Sequence, residues 1–542
     1  MTGAPQTVHV ALAKGLTAQG IDTLFGLLGD SNLFMADAFT HNEAGRFIPA
    51  TNEDNAVLMA LGFAAMTGKT AAVTVTQGPA VSNALTGLIE GVKAQLPIVF
   101  LCGDTSPTDP WHPQAVAQEA LIVATGAGFE RLKSPETACA DLATAFRRAS
   151  VERRPVAFNM PTAMMWEPTS DAPVAYPAPN QDGPAPDGPD MDNAIGIIAS
   201  ARRPVILAGR GAIPAREVLI RLADRIGAPL ATTLKAKGLF QGHDFNLGVF
   251  GTLSTPAAGD VIASADCIIS FGATLGRFTT MHGSYLTGSR LIQVDDDAGI
   301  IGRFAQPDAA LVGTPGAVAD RVLHWLDQAD IPSSRATDTL SPTTLTTPEP
   351  APPGNVANGT VELTAAMDAI EAALPADRLF VSDGGRFMGT AWKRLSVSHP
   401  RNFLLTIATG AIGMGLGYAI GAAQARPDQT TLLVAGDGGL MLGGLTEFSS
   451  AVRDKLNLVV VVCNDQAYGA EYVQFEDRQM DPSLSLFNWP SFAAMARSMG
   501  GHGETVASME ELHAALAALP DHNGPVLIEL MLDPAAVPRL QL

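Results

Sequence analysis

Residues 436–465 read GDGGLMLGGLTEFSSAVRDKLNLVVVVCND. The apolar run TTLLVA (430–435) leads into Gly436-Asp437-Gly438, and LNLVVVVC (456–463) leads into Asn464-Asp465. Between them GLTEFSSAVRDK (444–455) has the pattern of a helix. Short, continuously apolar strands joined by a helix predict a parallel sheet covered on both faces. A right-handed crossover then brings Asp437 and Asn464, 27 residues apart, to the same carboxyl edge of that sheet. Glycines beside Asp437 allow a close backbone approach to a ligand. A helix starting near Leu445 would aim its free N–H groups at an anion there. A carboxylate and an amide oxygen are hard ligands suited to Mg²⁺, with phosphate oxygens and water completing the shell. GDG alone is an ordinary turn; the frame of strand, GDG, helix, strand and Asn gives it meaning.

The same alternation extends outward. In the first part of the chain AAVTVT (71–76) and IVFLCG (98–103) are predicted strands around the helix NALTGLIEGVKAQ (83–95). In the middle, RPVILAGRGA (203–212) and ADCIISFGA (265–273) are strand–turn units. Two stretches rich in Pro, Ser, Thr and Asp, 166–190 and 331–358, lack periodicity and are expected to be linkers, partly polyproline II. The expected fold class is therefore α/β, with three serial doubly wound parallel-sheet domains at 1–165, 191–330 and 359–542. The first and third domains are candidates for a common architecture.

Composition agrees with several well-filled cores: 542 residues, 47% hydrophobic and only 6% aromatic. The formal net charge of −20 argues against nucleic acid and anionic membranes as partners. Cys102, Cys139, Cys267 and Cys463 are scattered in apolar surroundings, without metal-ligand spacing, and are expected to be buried free thiols. No signal-peptide pattern and no run of about 18 apolar residues appears. A cytoplasmic location is expected.

The segment 436–465 resembles the signature of thiamine diphosphate enzymes, in the branch containing acetolactate synthase and pyruvate decarboxylase. The resemblance implies pyrimidine-binding, central and diphosphate-binding domains in that order. It implies Mg²⁺ bound by Asp437, Asn464 and the carbonyl of Gln466, with Gly436, Gly438 and Gly439 lining the diphosphate. TGAIGMGLGYAIGAAQARPD (409–428) resembles the family's stretch ahead of GDG. By that match Gly410, Ala411 and Ile412 wrap the aminopyrimidine, and Ile412 forces the cofactor into its bent shape. TNEDNAVLMALGFAAMTGKTAAVTVTQGPAVSNALTGL (51–88) resembles the N-terminal domain and puts Glu53 in the place of the activating glutamate. Asp54 would serve equally as a first-turn helix acid.

For substrate contacts, GLLGDSNLF (26–34) resembles the decarboxylase form of its loop, with Asp30 facing the reacting carbon. The decarboxylases' two adjacent histidines are missing. TSPTDPWHPQAVAQEAL (105–121) offers only His112, and Gln118-Glu119 resembles the acetolactate synthase pattern. In AYGAEYVQFEDRQ (467–479), Tyr468 and Glu471 match a mobile element over the substrate. The central block has Ala273-Thr274 where relatives that hold FAD place an Arg, with Arg277 later, and this leans against a tightly bound FAD.

The implied activity is that of a carboligase, lyase or transferase on 2-keto acids or acyloins, with a non-oxidative 2-keto acid decarboxylase as the alternative. The implied assembly is a homodimer at minimum and a homotetramer by family habit. A nicotinamide-dependent dehydrogenase would need a GxGxxG that GRGA (209–212) does not supply. A catalytically silent subunit would be expected to lack Glu53, Asp437 or Asn464, and all three are present.

Overall fold

The computed structural model describes residues 6–106, 108–109, 111–176, 185–345 and 357–539. The stretches 177–184 and 346–356, inside the two expected linkers, lie outside the described residues. Three six-stranded sheets follow one another along the chain, and every strand pair within them is parallel. The N-terminal sheet runs, edge to edge, Arg46–Pro49, Thr23–Gly26, Ala71–Val75, Ile98–Asp104, Val156–Pro161, Gly128–Arg131. The C-terminal sheet runs Phe403–Leu405, Leu379–Ser382, Thr431–Gly436, Leu458–Asn464, Val526–Met531, His502–Val506. With strands numbered by chain order inside each sheet, both read 2-1-3-4-6-5. The two terminal domains therefore share one architecture. The central sheet reads 3-2-1-4-5-6 instead, the doubly wound dinucleotide-fold order.

Strand Leu458–Asn464 is buried along its whole length, as its unbroken β-branched run requires when both faces are covered. The predicted helix 444–455 is broken up. A short helix begins at Asp437 itself and ends at Gly443; Gly444, at φ +117, breaks it; a 3₁₀ turn spans Leu445–Glu447, and a second helix spans Phe448–Arg453. The free N–H groups beside the GDG turn thus belong to the helix that starts at Asp437, not to one starting near Leu445.

The terminal domains meet through two helices, Glu53–Thr67 and Gly415–Ala425. The first is capped by Asn52, whose side chain accepts from Asp54 N–H at 2.8 Å, and stops at Gly68 in the left-handed region. Both are apolar nearly all round because each is covered on every side. They approach so closely that a Cβ on Gly62 would lie 2.3 Å from the Tyr418 carbonyl oxygen, and one on Gly421 1.9 Å from that of Met59. Small residues at the crossing are thus a steric necessity.

A two-residue antiparallel strand pair, Gln6–Thr7 with Pro168–Thr169, ties the start of the first expected linker back to the N-terminal domain. All four cysteines are buried and free. Among the described residues no helix is long and apolar enough to cross a membrane.

Candidate active site

At the carboxyl edge of the C-terminal sheet, Asp437 directly follows the strand Thr431–Gly436 and Asn464 ends the adjacent strand; each is 2% exposed. Asp437 accepts from Gly438 N–H at 2.8 Å and from the Trp489 indole N–H at 3.1 Å. Asn464 donates to Glu529 at 2.9 Å, which orients its amide and leaves Oδ1 as the acceptor for Gln466 N–H at 3.1 Å. Gln466 sits at φ +54. Asp465 lies beside them, 3.8 Å from the Arg386 guanidinium.

Burial pushes the Asp437 carboxyl up to about 7, and the neighbouring Asp465 charge adds to the effect. The bonds from Gly438 and Trp489 act the other way. Burial also pushes Asp465 up to about 6, with Arg386 opposing. Two buried acids and an amide oxygen crowded at a sheet edge form a site short of positive charge. Among the described residues no group of three or more His, Cys, Asp or Glu is placed to hold a metal. The oxygen set here, which counts an amide and backbone carbonyls, matches the taste of a hard divalent cation. Gly438 must lack a side chain, since a Cβ there would meet the Tyr468 ring at 2.4 Å. Tyr468, Phe487 and Trp489 form a ladder of rings next to the GDG turn, with centroids 4.6 Å apart at each step.

The loop Gly410–Ile412 comes to the same place. Ile412 lies 3.7 Å from the Cβ position of Gly439 and 3.1 Å from that of Gly384. Among the described residues, its chain neighbours aside, no atom stands within 4 Å of the Cβ position of Gly410, at φ +79. A residue that sequence reasoning missed holds this loop. Asp383, buried at the end of the first strand of its sheet, accepts from Gly413 N–H at 2.9 Å, Gly384 N–H at 2.8 Å and the Thr406 hydroxyl at 3.1 Å. Its carboxyl is pushed up to about 6 by burial and pulled back by those donors. The only sequence signal was another strand-end Asp followed by glycines, SDGG at 382–385.

In the N-terminal domain Glu53 opens its helix, half-buried, and accepts from Asn83 Nδ2 at 3.1 Å. Asp54 faces another way: it accepts from Gly87 N–H at 2.7 Å, and burial pushes its carboxyl up to about 6. Its bond makes Asp54 a strut between two helices and leaves Glu53 as the more open acid. Asp30 and His112 line one cavity of about 210 Å³, together with His9, Gln77, Phe34 and Trp166. Gln118 is placed differently. Its amide donates to the Gly103 carbonyl and to Asn159, both at 2.8 Å, and its oxygen accepts from Gly78 N–H, so it braces the TQGP turn from behind. Glu471 is exposed on the helix Gly469–Asp477.

In the central domain the crevice between its first and fourth strands is where ligands of such sheets bind. Here backbone links the two strand ends: Gly209 N–H donates to the Phe271 carbonyl at 2.8 Å and Gly211 N–H to the Gly272 carbonyl at 3.2 Å. Arg210 leaves the crevice to bond Ala94 and Gln95 of the N-terminal domain. Arg277 lies over the Phe278 ring at the surface.

Comparison with known proteins agrees with this geometry. Residues 6–121 match the thiamine pyrophosphate enzyme N-terminal TPP binding domain, 191–322 the central domain and 383–530 the C-terminal TPP binding domain. The chain is 26% identical to the acetolactate synthase isozyme 2 large subunit of Escherichia coli, over 98% of this chain and 96% of that one. It is 28% identical to the sulfoacetaldehyde acetyltransferase of Rhodobacter capsulatus, over 97% and 94%. It is 27% identical to a probable 2-ketoarginine decarboxylase of Pseudomonas aeruginosa, again over 97% and 94%. With its three parallel-sheet domains matched in order, the chain belongs to the thiamine pyrophosphate enzymes and is acetolactate synthase-like.

Proposed function

We propose that the protein is a Mg²⁺- and thiamine diphosphate-dependent carboligase or lyase acting on 2-keto acids or acyloins. The observation that carries this is the meeting of Asp437, Asn464 and the Gly410–Ile412 loop at one sheet edge. Asp437, Asn464 and the Gln466 carbonyl are the metal ligands in this reading. Gly436, Gly438 and Gly439 receive the diphosphate, and Gly410, Ala411 and Ile412 receive the aminopyrimidine. Thiamine diphosphate held there would supply a nucleophilic carbon and an electron sink for chemistry next to a carbonyl. Glu53 holds a proton at the pyrimidine nitrogen. Asp30 and His112 exchange protons with the substrate from their shared cavity. Gln118 acts on the site by fixing the turn that it braces, and Glu471 belongs to the element over the substrate. The experiment is a screen of 2-keto acids and acyloins with Mg²⁺ and thiamine diphosphate, read by NMR; no turnover of either class would refute the reading.

Exposed apolar side chains support a homodimer at minimum, with a homotetramer as the proposed form. Leu28, Phe34, Trp111 and Val116 on the N-terminal domain, Trp166 at the start of the first linker, and Leu442, Leu484 and Leu486 on the C-terminal domain are all more than 40% exposed in the single chain. The domain limits 1–165, 191–330 and 359–542 and a cytoplasmic location are part of the same proposal. The proposal includes no tightly bound FAD, in keeping with Ala273-Thr274 where relatives that hold FAD place an Arg.

A decarboxylase releasing an aldehyde is the second reading, favoured by the placement of Asp30 and His112 around one cavity. Partitioning separates the two. With a 2-keto acid donor and excess acceptor aldehyde, acyloin should outweigh free aldehyde, because one carboxylate and one imidazole form a sparse proton relay. Asp30→Asn should raise the ratio further. Gas chromatography of both products decides, and free aldehyde dominant in the wild type hands the assignment to the decarboxylase.

The raised acids make a pH prediction. Between the ordinary value of 3.8 and about 7, Asp437 holds its proton more tightly folded than unfolded, so its contribution to apoprotein stability falls as pH rises through that window. Mg²⁺ requires the carboxylate and must displace that proton. The rise in Tm on adding Mg²⁺ and thiamine diphosphate should therefore be larger at pH 8 than at pH 6. Equal increments at both pH values would remove Asp437 from the metal site.

A further inference from the structure

Two carboxylates outside the proposed ligand set, Glu90 and Glu447, are 0% exposed and form no ion pair among the described residues. A carboxylate buried without a cation costs several kcal/mol unless hydrogen bonds replace its water. Each accepts hydrogen bonds from backbone N–H groups of the opposite domain. Glu90, on the helix Leu85–Ala94, accepts from Ala408 N–H at 3.0 Å and Thr409 N–H at 2.8 Å. Glu447, closing the turn Leu445–Glu447, accepts from Thr51 N–H at 3.0 Å and from the Thr51 hydroxyl at 2.8 Å. The Ser450 hydroxyl steadies it at 2.6 Å.

The arrangement is reciprocal. Each carboxylate comes from the segment after the third strand of its own sheet and grips the segment after the second strand of the other. The gripped residues matter by position: Thr51 stands two before Glu53, and Thr409 stands directly before Gly410. We propose that Glu447 and Glu90 are crossed positioning residues. Glu447, in the C-terminal domain, sets the backbone that presents Glu53, and Glu90, in the N-terminal domain, sets the loop that receives the aminopyrimidine. This rests on the cofactor assignments proposed above.

The test uses the full-length protein with Mg²⁺ and thiamine diphosphate, and reads three quantities: exchange of the cofactor C2 proton by NMR, cofactor Kd by titration, and Tm. Glu447→Gln exchanges one acceptor for an N–H group facing the Thr51 N–H. Exchange should slow by about tenfold, the scale of one weakened charge-assisted bond, while Kd stays near wild type. Glu90→Gln should do the reverse, raising Kd by about tenfold with a smaller effect on exchange in the saturated protein. Mere loosening of the domains would move both readouts together in both variants, and that parallel pattern, like wild-type values throughout, overturns the proposal. Thr51→Val removes only the hydroxyl and covers the case in which Glu447→Gln does not fold. It should slow exchange at unchanged Kd, and unaltered exchange again overturns the proposal. Absence of exchange in the wild type would instead refute the cofactor assignments themselves.

Discussion

Glu53→Gln is expected to bind thiamine diphosphate and Mg²⁺ yet lose the C2 proton of the cofactor about 10²–10⁴ times more slowly than wild type, the usual worth of a positioned acid or base. An amide has nearly the size of a carboxyl group and keeps a hydrogen-bond acceptor for Asn83, so the helix start should survive. What it lacks is a transferable proton. The measurement is deuterium exchange at C2 by acid quench and NMR, beside a titration showing that Kd is little changed. Wild-type exchange in Glu53→Gln would take Glu53 out of the mechanism. Attention would then pass to Asp54, although its bond to Gly87 N–H already commits that side chain to packing.

Asp437→Ala should cost more than about 100-fold in cofactor retention at limiting Mg²⁺, beyond the 10–100-fold typical of residues that only support a metal ligand. A loss of fold would look similar, and thermal unfolding separates the two. Asp437 is held in a costly state by burial and by Asp465, so its removal should leave the apoprotein Tm unchanged or raise it. The bonds sacrificed are those from Gly438 N–H and from the Trp489 indole. Retained affinity for thiamine diphosphate at limiting Mg²⁺ would place the metal site elsewhere.

Asp383 shows how a site is supported by residues that local pattern does not announce. Its oxygens tie Gly384 and Gly413 across 30 positions of sequence, and Glu90 reaches more than 300 positions to Ala408 and Thr409. Gln118 shows the opposite case. A residue type that suits a substrate contact turns out to have its amide occupied by Gly78, Gly103 and Asn159.

The sequence by itself determined that the chain is α/β with parallel sheets, and that Asp437 and Asn464 share a sheet edge. Both follow from short-range rules: unbroken apolar strands need cover on two faces, and a right-handed crossover has only one place to end. The same rules could not see that Gly444 would split the helix after GDG, because the break accompanies contacts with Gly413 and Asn55 from other parts of the chain. Nor could they pair Glu447 with Thr51 or put Asp30 and His112 on the wall of one cavity. Periodicity reports which face of an element is buried, and only tertiary packing decides which distant partner buries it.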